Sequence, residues 1–531
     1  MLHFIPAWYQ QNTWHENEQK WYVRREHTEF DDTVKQIQLF HRNGVYPYQI
    51  LLLSYSPNFR HFLHRQGVFH APYWSCFDAI QEVKRKKAVP LSFHNLKWPE
   101  HVEFEYTPFV VTAWMAGEKY AQIEFGEDGN PIEIDMYKNG VICRRNIYDD
   151  RGFVSGSVIY RGGQPYYQDY LMENGKWKLR CFQDDGRVEV NPKYFEYRLV
   201  YQNHEQTAAF SSLCYDSMEQ VIHEVLQAYL QLTEEQDIFC AAMDERHVRM
   251  LLDVLKDKKT ILSFYGDRYD FESHPLAAQM AAMAACVVTD SREHSKKIQD
   301  KAGDIIWKIT DISPYDTRVD FGISQQLELQ KILVPVDDVK EEDLRKLVIT
   351  LAGYLQRNDS ARVHLFTRRA EWDRKIRVLE QVRIFLKEAG FVEEWGDEEK
   401  RQGISENELD DTETIETRFV VEQCVDELSV SKCIREQRIL VDLRKTPALY
   451  LQIMAISVGI PQIVSEKTQF IEDGNNGIIL QDPGRLPDAL AYYLDGLSNW
   501  NDAMVHAFEV GRKFASEVLI NKWREVINFV G

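Results

Sequence analysis

Sixteen histidines and eight cysteines are the residues of this 531-residue chain with most chemistry to offer, and their spacing offers little of it. Cys76, Cys143, Cys181, Cys214, Cys240, Cys286, Cys424 and Cys433 are scattered with no Cys-x-x-Cys pair, so reduced thiols are expected and a structural zinc is not. His61 and His64 stand three apart and would share a helix face. No carboxylate sits at ligand spacing beside them, so packing is the expectation and a metal site is not. The sequence has neither a Gly-x-Ser-x-Gly elbow, which would expose a nucleophilic serine, nor a phosphate-cradling Walker loop. Hydrolase and motor ATPase chemistry therefore have no support.

Lys84-Arg85-Lys86-Lys87, with Lys97-Trp98 nearby, is the dense basic cluster of the chain. It reads as a solvated helix end. The alternative is a patch for a membrane or another anionic partner, each basic residue contributing on the order of 1 kcal/mol near anionic headgroups. The aromatic-rich stretch from Tyr46 to Trp74 offers flat faces for sugar rings, but such aromatics more often serve core or domain-interface packing, which is the expectation here. The formal net charge of −20 argues against nucleic acid, because neutralising phosphates takes clustered Lys and Arg.

The elements that must position these groups come in two grammars. Apolar residues at 44% and aromatics at 12% suffice for several cores, and the length allows about three domains. A strand at Phe4 to Tyr9, an amphipathic helix from Asp31 and a buried strand at Tyr48 to Leu53 read as a parallel sheet covered by helices. From Val110 to Tyr201 turn pairs such as Asn139-Gly140 and Asn174-Gly175 separate short alternating runs, which predicts an antiparallel meander. Helix-and-strand grammar then returns. Ser217 and Gln220 predict a capping box before the stripe Met218, Val221, Ile222, Val225, Leu226 and Tyr229. Strands are expected at 237–241, 260–265, 285–289 and 305–309. A second α/β unit begins near Lys331, and the acidic stretch from Glu393 to Glu416 reads as a solvated loop. No leader is evident, and the most apolar runs, Ile50 to Leu53 and Ala281 to Val288, fall far short of the roughly 20 residues of a membrane helix. A cytoplasmic protein is the expectation.

From Leu440 the sequence runs LVDLRKTPALYLQIMAISVGIPQIVSEKTQFIEDGNNGIILQDPGRL. Thr446 is placed to cap a helix, Pro447 suits its first turn, and Gly459 can end it. Ala455 to Ile463 and the Asp473-Gly474-Asn475-Asn476-Gly477 turn resemble the C-terminal domain of retaining, nucleotide-sugar-dependent GT-B glycosyltransferases. The resemblance implies an α/β fold of two doubly wound Rossmann-type domains with the meander inserted in the first. The expected units are residues 1–109 with 202–330, the insert 110–201, and 331–531 with closing C-terminal helices.

The departures from that family pattern matter as much. Aligned on Gly459, Thr446 and Met454 stand where two donor-binding carboxylates belong. A thioether is a very weak acceptor and a hydroxyl carries no charge. The segment from Pro335 to Asp343 is acidic where Arg and Lys would neutralise the donor diphosphate, and a leaving diphosphate needs positive charge aimed at it. The loop from Tyr9 to Trp14 lacks the glycines that admit substrate. No catalytic residue, cofactor or metal is expected. The opening FIPAWY, the LLLSYSP strand, the meander and the degenerate donor positions together resemble the first accessory secretory protein of the streptococcal and staphylococcal accessory Sec system. That resemblance implies a non-catalytic scaffold joined to two companion accessory secretory proteins. It would act beside a dedicated SecA motor ATPase at the inner face of the membrane, in export of serine-rich repeat glycoprotein adhesins. The alternative is an active retaining transferase that modifies the adhesin through a rearranged site.

Overall fold

In the computed structural model, which describes residues 1–9, 14, 20, 31–44, 46–271, 276, 279, 282–302, 309–317, 322–396 and 417–531, the two grammars become separate sheets. The first sheet is parallel, in the order Tyr73–Ser75, Tyr48–Leu52, Leu2–Ile5, Ile238–Ala242, Lys259–Phe264, Cys286–Thr289, Ile309–Asp311. The chain winds outward from Leu2–Ile5, leaves, and returns at Ile238–Ala242 to extend the sheet the other way. A second parallel sheet repeats the plan, ordered Phe419–Gln423, Ala361–Thr367, Gln330–Pro335, Ile439–Asp442, Gln462–Val464, Gly477–Ile479. Both are doubly wound, so each has a switch point where neighbouring crossovers part and leave a crevice at the carboxyl ends of the strands. Helices cover both faces, which is why Ala361–Thr367 is buried at every position. The strand expected at 305–309 is seen as Ile309–Asp311; residues 305–308 lie outside the described residues, as do 397–416 of the acidic stretch.

Between the two halves of the first sheet lies the meander, ten antiparallel strands from Glu103–Tyr106 to Cys214–Tyr215. It begins before Val110 and ends after Tyr201: Glu103 to Tyr106, a short alternating run with largely exposed side chains, pair with Val111 to Trp114. Asn139 and Gly140 sit at φ 52° and 73°, the double left-handed turn a two-residue hairpin requires. The hairpin Glu196–Tyr201 with His204–Ala209 forms its own two-stranded sheet.

Charged side chains fasten the meander to the first domain. Arg151, at the turn between Val141–Asp149 and Phe153–Arg161, forks to Asp149 at 2.7 Å and to Asp78 at 2.8 and 2.7 Å. Lys178, fully buried in Trp177–Phe182, donates to the Glu82 carboxylate and to the Glu196 carbonyl.

Two local expectations change. The helix Met218–Leu230 buries the predicted stripe, but Ser217 makes no side-chain cap; Gln220 instead accepts the Asp216 backbone N–H at 3.0 Å. The last helix, Ser516–Val530, is expected from the sequence to close the unit 331–531. Its Leu519, Ile520, Trp523, Val526, Ile527 and Val530 instead enter the core of the first sheet with Phe4, Ile37, Phe40 and Ile261, because its apolar stripe matches that sheet's open face. No described helix is long and apolar enough to cross a membrane.

Candidate functional site

The carboxyl ends of the two parallel sheets face one another across a cavity of about 720 Å³. Tyr265, Asp290 and His294 line it from the first domain, and Thr446, Tyr450 and Lys467 from the second. Asp290 organises its side of the cavity. One carboxylate oxygen accepts the Gly266 N–H at 2.7 Å and the other lies 3.1 Å from His294 Nδ1. Its carbonyl accepts Gln469 across the cleft at 3.1 Å, so a strand end of one domain is pinned to a loop of the other.

The crevice of the first sheet is occupied by its own side chains. Of the glycine-free loop, residues 10–13 lie outside the described residues. The Tyr9 hydroxyl lies 2.8 Å from Nδ1 of buried His247, and the Trp14 ring packs edge-on against Tyr9 at 5.3 Å. Burial brings the His247 imidazole down to about 4, so it is neutral near pH 7. Beneath it Arg268 bridges Asp31 at 3.0 Å and Asp32 at 2.6 Å, while Asp32 also accepts Ser263. Burial and the neighbouring Asp32 charge push Asp31 up to about 6, while the guanidinium holds Asp32 below the usual carboxylate range. These carboxylates are spent on internal partners.

At the switch point of the second sheet, Asp442 ends a buried strand. It takes both nitrogens of the Arg444 fork at 2.8 Å and the Ala448 N–H at 3.0 Å. The helix that follows is Leu449–Val458, begun by Ala448, so Thr446 and Pro447 precede it and Thr446 does not cap it. Asp442 supplies the acceptor that Thr446 was expected to provide.

The acidic segment before Asp343 also behaves differently from expectation. Asp337 accepts the Thr367 hydroxyl at 2.5 Å, the Arg368 N–H at 2.7 Å and Arg374 at 3.2 Å, while Asp338 pairs with Arg369 at 2.6 Å. The charges of Asp337 and Asp338 are met by arginines from the neighbouring strand end, while Glu341, Glu342 and Asp343 form the exposed first turn of the helix Glu341–Leu355. Arg368, Arg369, Arg374 and Arg444 escaped the sequence reading because they come from segments up to 76 positions apart that only the sheet order brings together. The visible trace was Asp442-Leu443-Arg444, an acid closing a buried strand with an arginine two residues on.

The three donor-pattern positions do not converge. Thr446 lines the cavity. Met454, half-buried, packs on the apolar cluster that holds Leu333, Phe366 and Leu451. Gly459 closes its helix at φ 76°, and a Cβ there would come within 2.8 Å of Phe508 and 2.9 Å of Met504. Gly459→Ala is therefore expected to destabilise the protein by about 2–4 kcal/mol, backbone strain adding to overpacking, as read from the shift in urea midpoint. A change under about 0.5 kcal/mol, the range of ordinary surface substitutions, would show that Phe508 and Met504 move aside freely.

The basic cluster is not a helix end. The helix Cys76–Ile80 stops before it, and the chain from Val83 to Arg85 lies along the meander. Glu173 accepts the Lys84 and Arg85 backbone N–H groups at 2.6 and 2.7 Å, and the Arg85 guanidinium donates to the Arg151 and Gly152 carbonyls. Lys84, Lys86 and Lys87 remain exposed. His61 lies 3.6 Å from Glu127, which Arg65 also engages at 3.1 Å, whereas His64 points outward against Phe69.

Over residues 1–529 the sequence matches the accessory Sec system protein family of accessory secretory protein 1. The chain belongs to that family. Its Streptococcus gordonii member is 32% identical over 99% of this chain and 98% of its own length. The structure of accessory secretory protein 1, 2 and 3 from Streptococcus pneumoniae contains a chain that superposes with a TM-score of 0.79. The two are 29% identical, with 100% of each covered. The pneumococcal O-GlcNAc transferase GtfA, solved with UDP and GlcNAc, has a TM-score of 0.70 at 11% identity, covering 100% of this chain and 98% of its own. That distant likeness establishes the GT-B-like architecture, with its inserted meander, for this member of the accessory Sec family.

Proposed function

We propose that the protein is a non-catalytic, glycosyltransferase-like scaffold that assembles with two companion accessory secretory proteins for adhesin export. The observation that carries this reading is the full-length similarity to a chain solved as accessory secretory protein 1, 2 and 3. The cleft supports it. Thr446 is the one of the two substituted carboxylate positions on the cavity wall, and Met454 is drawn into the apolar cluster behind. The reading extends to the serine-rich repeat glycoprotein as cargo and to the accessory SecA motor as a neighbour. It places the protein at the cytoplasmic face of the membrane, with Lys84, Arg85, Lys86 and Lys87 as the anionic-partner patch. Residues 110–201 and their flanking strands are the arm offered to a partner.

One observation favours the second reading, sugar transfer: the cavity between the domains is large enough for a nucleotide and carries Lys297, Lys445 and Lys467 on its wall. A single pair of measurements separates the two. Co-expressed with its two companions, the full chain is expected to elute as one complex. Titrated alone with a panel of nucleotide-sugars, it is expected to give no heat and no change in melting temperature. A donor bound at 100 times its Kd would add about 2.7 kcal/mol of stability. Such a gain, together with elution of the chain by itself, would reverse the assignment.

A further inference from the structure

At the outer edge of the second sheet, a strand end and the helix that follows it bring metal-binding atoms together. Glu422 is in the edge strand Phe419–Gln423, Cys424 follows it, and Cys433 lies in the helix Glu427–Arg435. A Glu422 carboxylate oxygen and the two sulfurs all lie within 4.8 Å of one another. Two thiolates and a carboxylate oxygen around one zinc, at about 2.3 Å and 2.0–2.2 Å from it, span comparable separations.

The surroundings hold these groups in place. The Cys424 N–H donates to the Thr367 carbonyl at 2.9 Å, and a reciprocal Asp426–Ser429 cap fixes the start of the helix that carries Cys433. His364 Nδ1 lies 2.8 Å from a Glu422 oxygen, an orienting contact of the kind made by groups behind metal ligands. Cys424 and His364 are buried, whereas Glu422 and Cys433 are half-buried, which leaves a route in from solvent.

We propose that Glu422, Cys424 and Cys433 bind one zinc ion, with His364 as the positioning residue and water in the fourth place. Two sulfur ligands with one carboxylate suit zinc over magnesium or calcium, which take oxygen. Binding releases the two thiol protons to solvent, and no electron is transferred. The cysteines stand nine positions apart across a strand-to-helix joint, which is why the linear sequence shows no Cys-x-x-Cys pair. The site would also brace Glu427, which receives Lys35 of the first domain at 2.6 Å.

The test is metal analysis of the full chain purified without chelator, followed by cobalt replacement. About one equivalent of zinc is expected, together with a sulfur-to-metal charge-transfer band once cobalt replaces it. Both should be lost in Cys433→Ala. His364→Gln should keep the band and weaken affinity roughly 10- to 100-fold. Failure of the reduced wild-type chain to hold zinc or give the cobalt band, with Cys424 and Cys433 both alkylated as free thiols, would overturn the proposal. So would a Cys424–Cys433 disulfide in the freshly purified chain. Because the wild-type measurement decides, a variant that fails to fold leaves the answer intact.

Discussion

Replacing Arg151 with methionine is expected to loosen the meander from the first α/β domain at a cost of about 3–5 kcal/mol, the range for breaking a buried charge pair. The guanidinium is 7% exposed and donates to two carboxylates at once, Asp149 within the meander and Asp78 on the helix Cys76–Ile80. Methionine keeps the volume of the stem and removes every donor, leaving the Asp149 charge buried with no counter-charge. Lysine would restore the charge but cannot fork to two acids, so Arg151→Lys should recover only part of the loss. The measurement is amide hydrogen exchange around residues 76–83 and 149–153. If the joint opens before the rest of the molecule, protection there should fall about a hundred- to a few-thousand-fold, at 1.4 kcal/mol per decade.

The penalty should shrink in acid, and the sign follows from Asp149. Its carboxyl is already pushed up by burial despite the guanidinium beside it. Without Arg151 it rises further, and the folded variant then holds a proton that the unfolded chain has lost. A folded state that binds the extra proton gains stability as pH falls toward the unfolded carboxylate value, about 3.9. Wild type and variant should therefore converge as pH falls from neutrality toward that value. A gap that stays constant as the pH falls would move the loss to packing, since the Arg151 guanidinium also sits 5.7 Å from the Phe153 ring centroid.

How far the sequence disclosed this molecule depended on whether the determining contacts were local. The strands Ile439–Asp442 and Gln462–Val464 and the left-handed close at Gly459 were legible because an apolar run, a glycine and a proline act within a few residues. The meander announced itself through turn pairs for the same reason. Its outer strand, Glu103 to Tyr106, alternates polar and apolar over only four residues, too short a run to stand out, and it is held as a strand by Val111 to Trp114. At the second switch point the reading of Asp337 and Asp338 as bare charge failed, because their partners arrive from the next strand over. The capping box at Ser217 does not form: its hydroxyl makes no cap, and the Gln220 amide turns to Asp216. The set Glu422, Cys424 and Cys433 with His364 is another case in which fold and not spacing assembles the chemistry.

Trp523→Ala tests the least local of these contacts, the return of the chain's last helix to its first sheet. Trp523 is 1% exposed and meets Phe40 edge-on at 5.8 Å, within a core formed by Leu2, Phe4 and Ile238. The ends of the helix are tied as well: Ser516 donates to Asp316 at 2.5 Å, and Lys259 donates to the Gly531 carbonyl at 2.7 Å. Truncating a fully buried tryptophan costs about 3–5 kcal/mol, transfer and cavity together. Because the helix belongs by packing to the first domain and by connection to the second, that cost should fall on the first. In urea the unfolding step of the first domain is expected to move to lower concentration while that of the second stays, the two domains unfolding as units. Trp500→Ala supplies the mirror case, since Trp500 is buried in the second domain and donates to the Arg438 carbonyl at 2.7 Å. If Trp523→Ala instead shifts only the second step, the helix draws its stability from the domain it leaves, and the domains would be held together by cleft contacts such as Gln469 to Asp290. If the first step moves as expected, the same helix sets how the two sheets face each other. On the scaffold reading proposed above, assembly should then be lost along with stability.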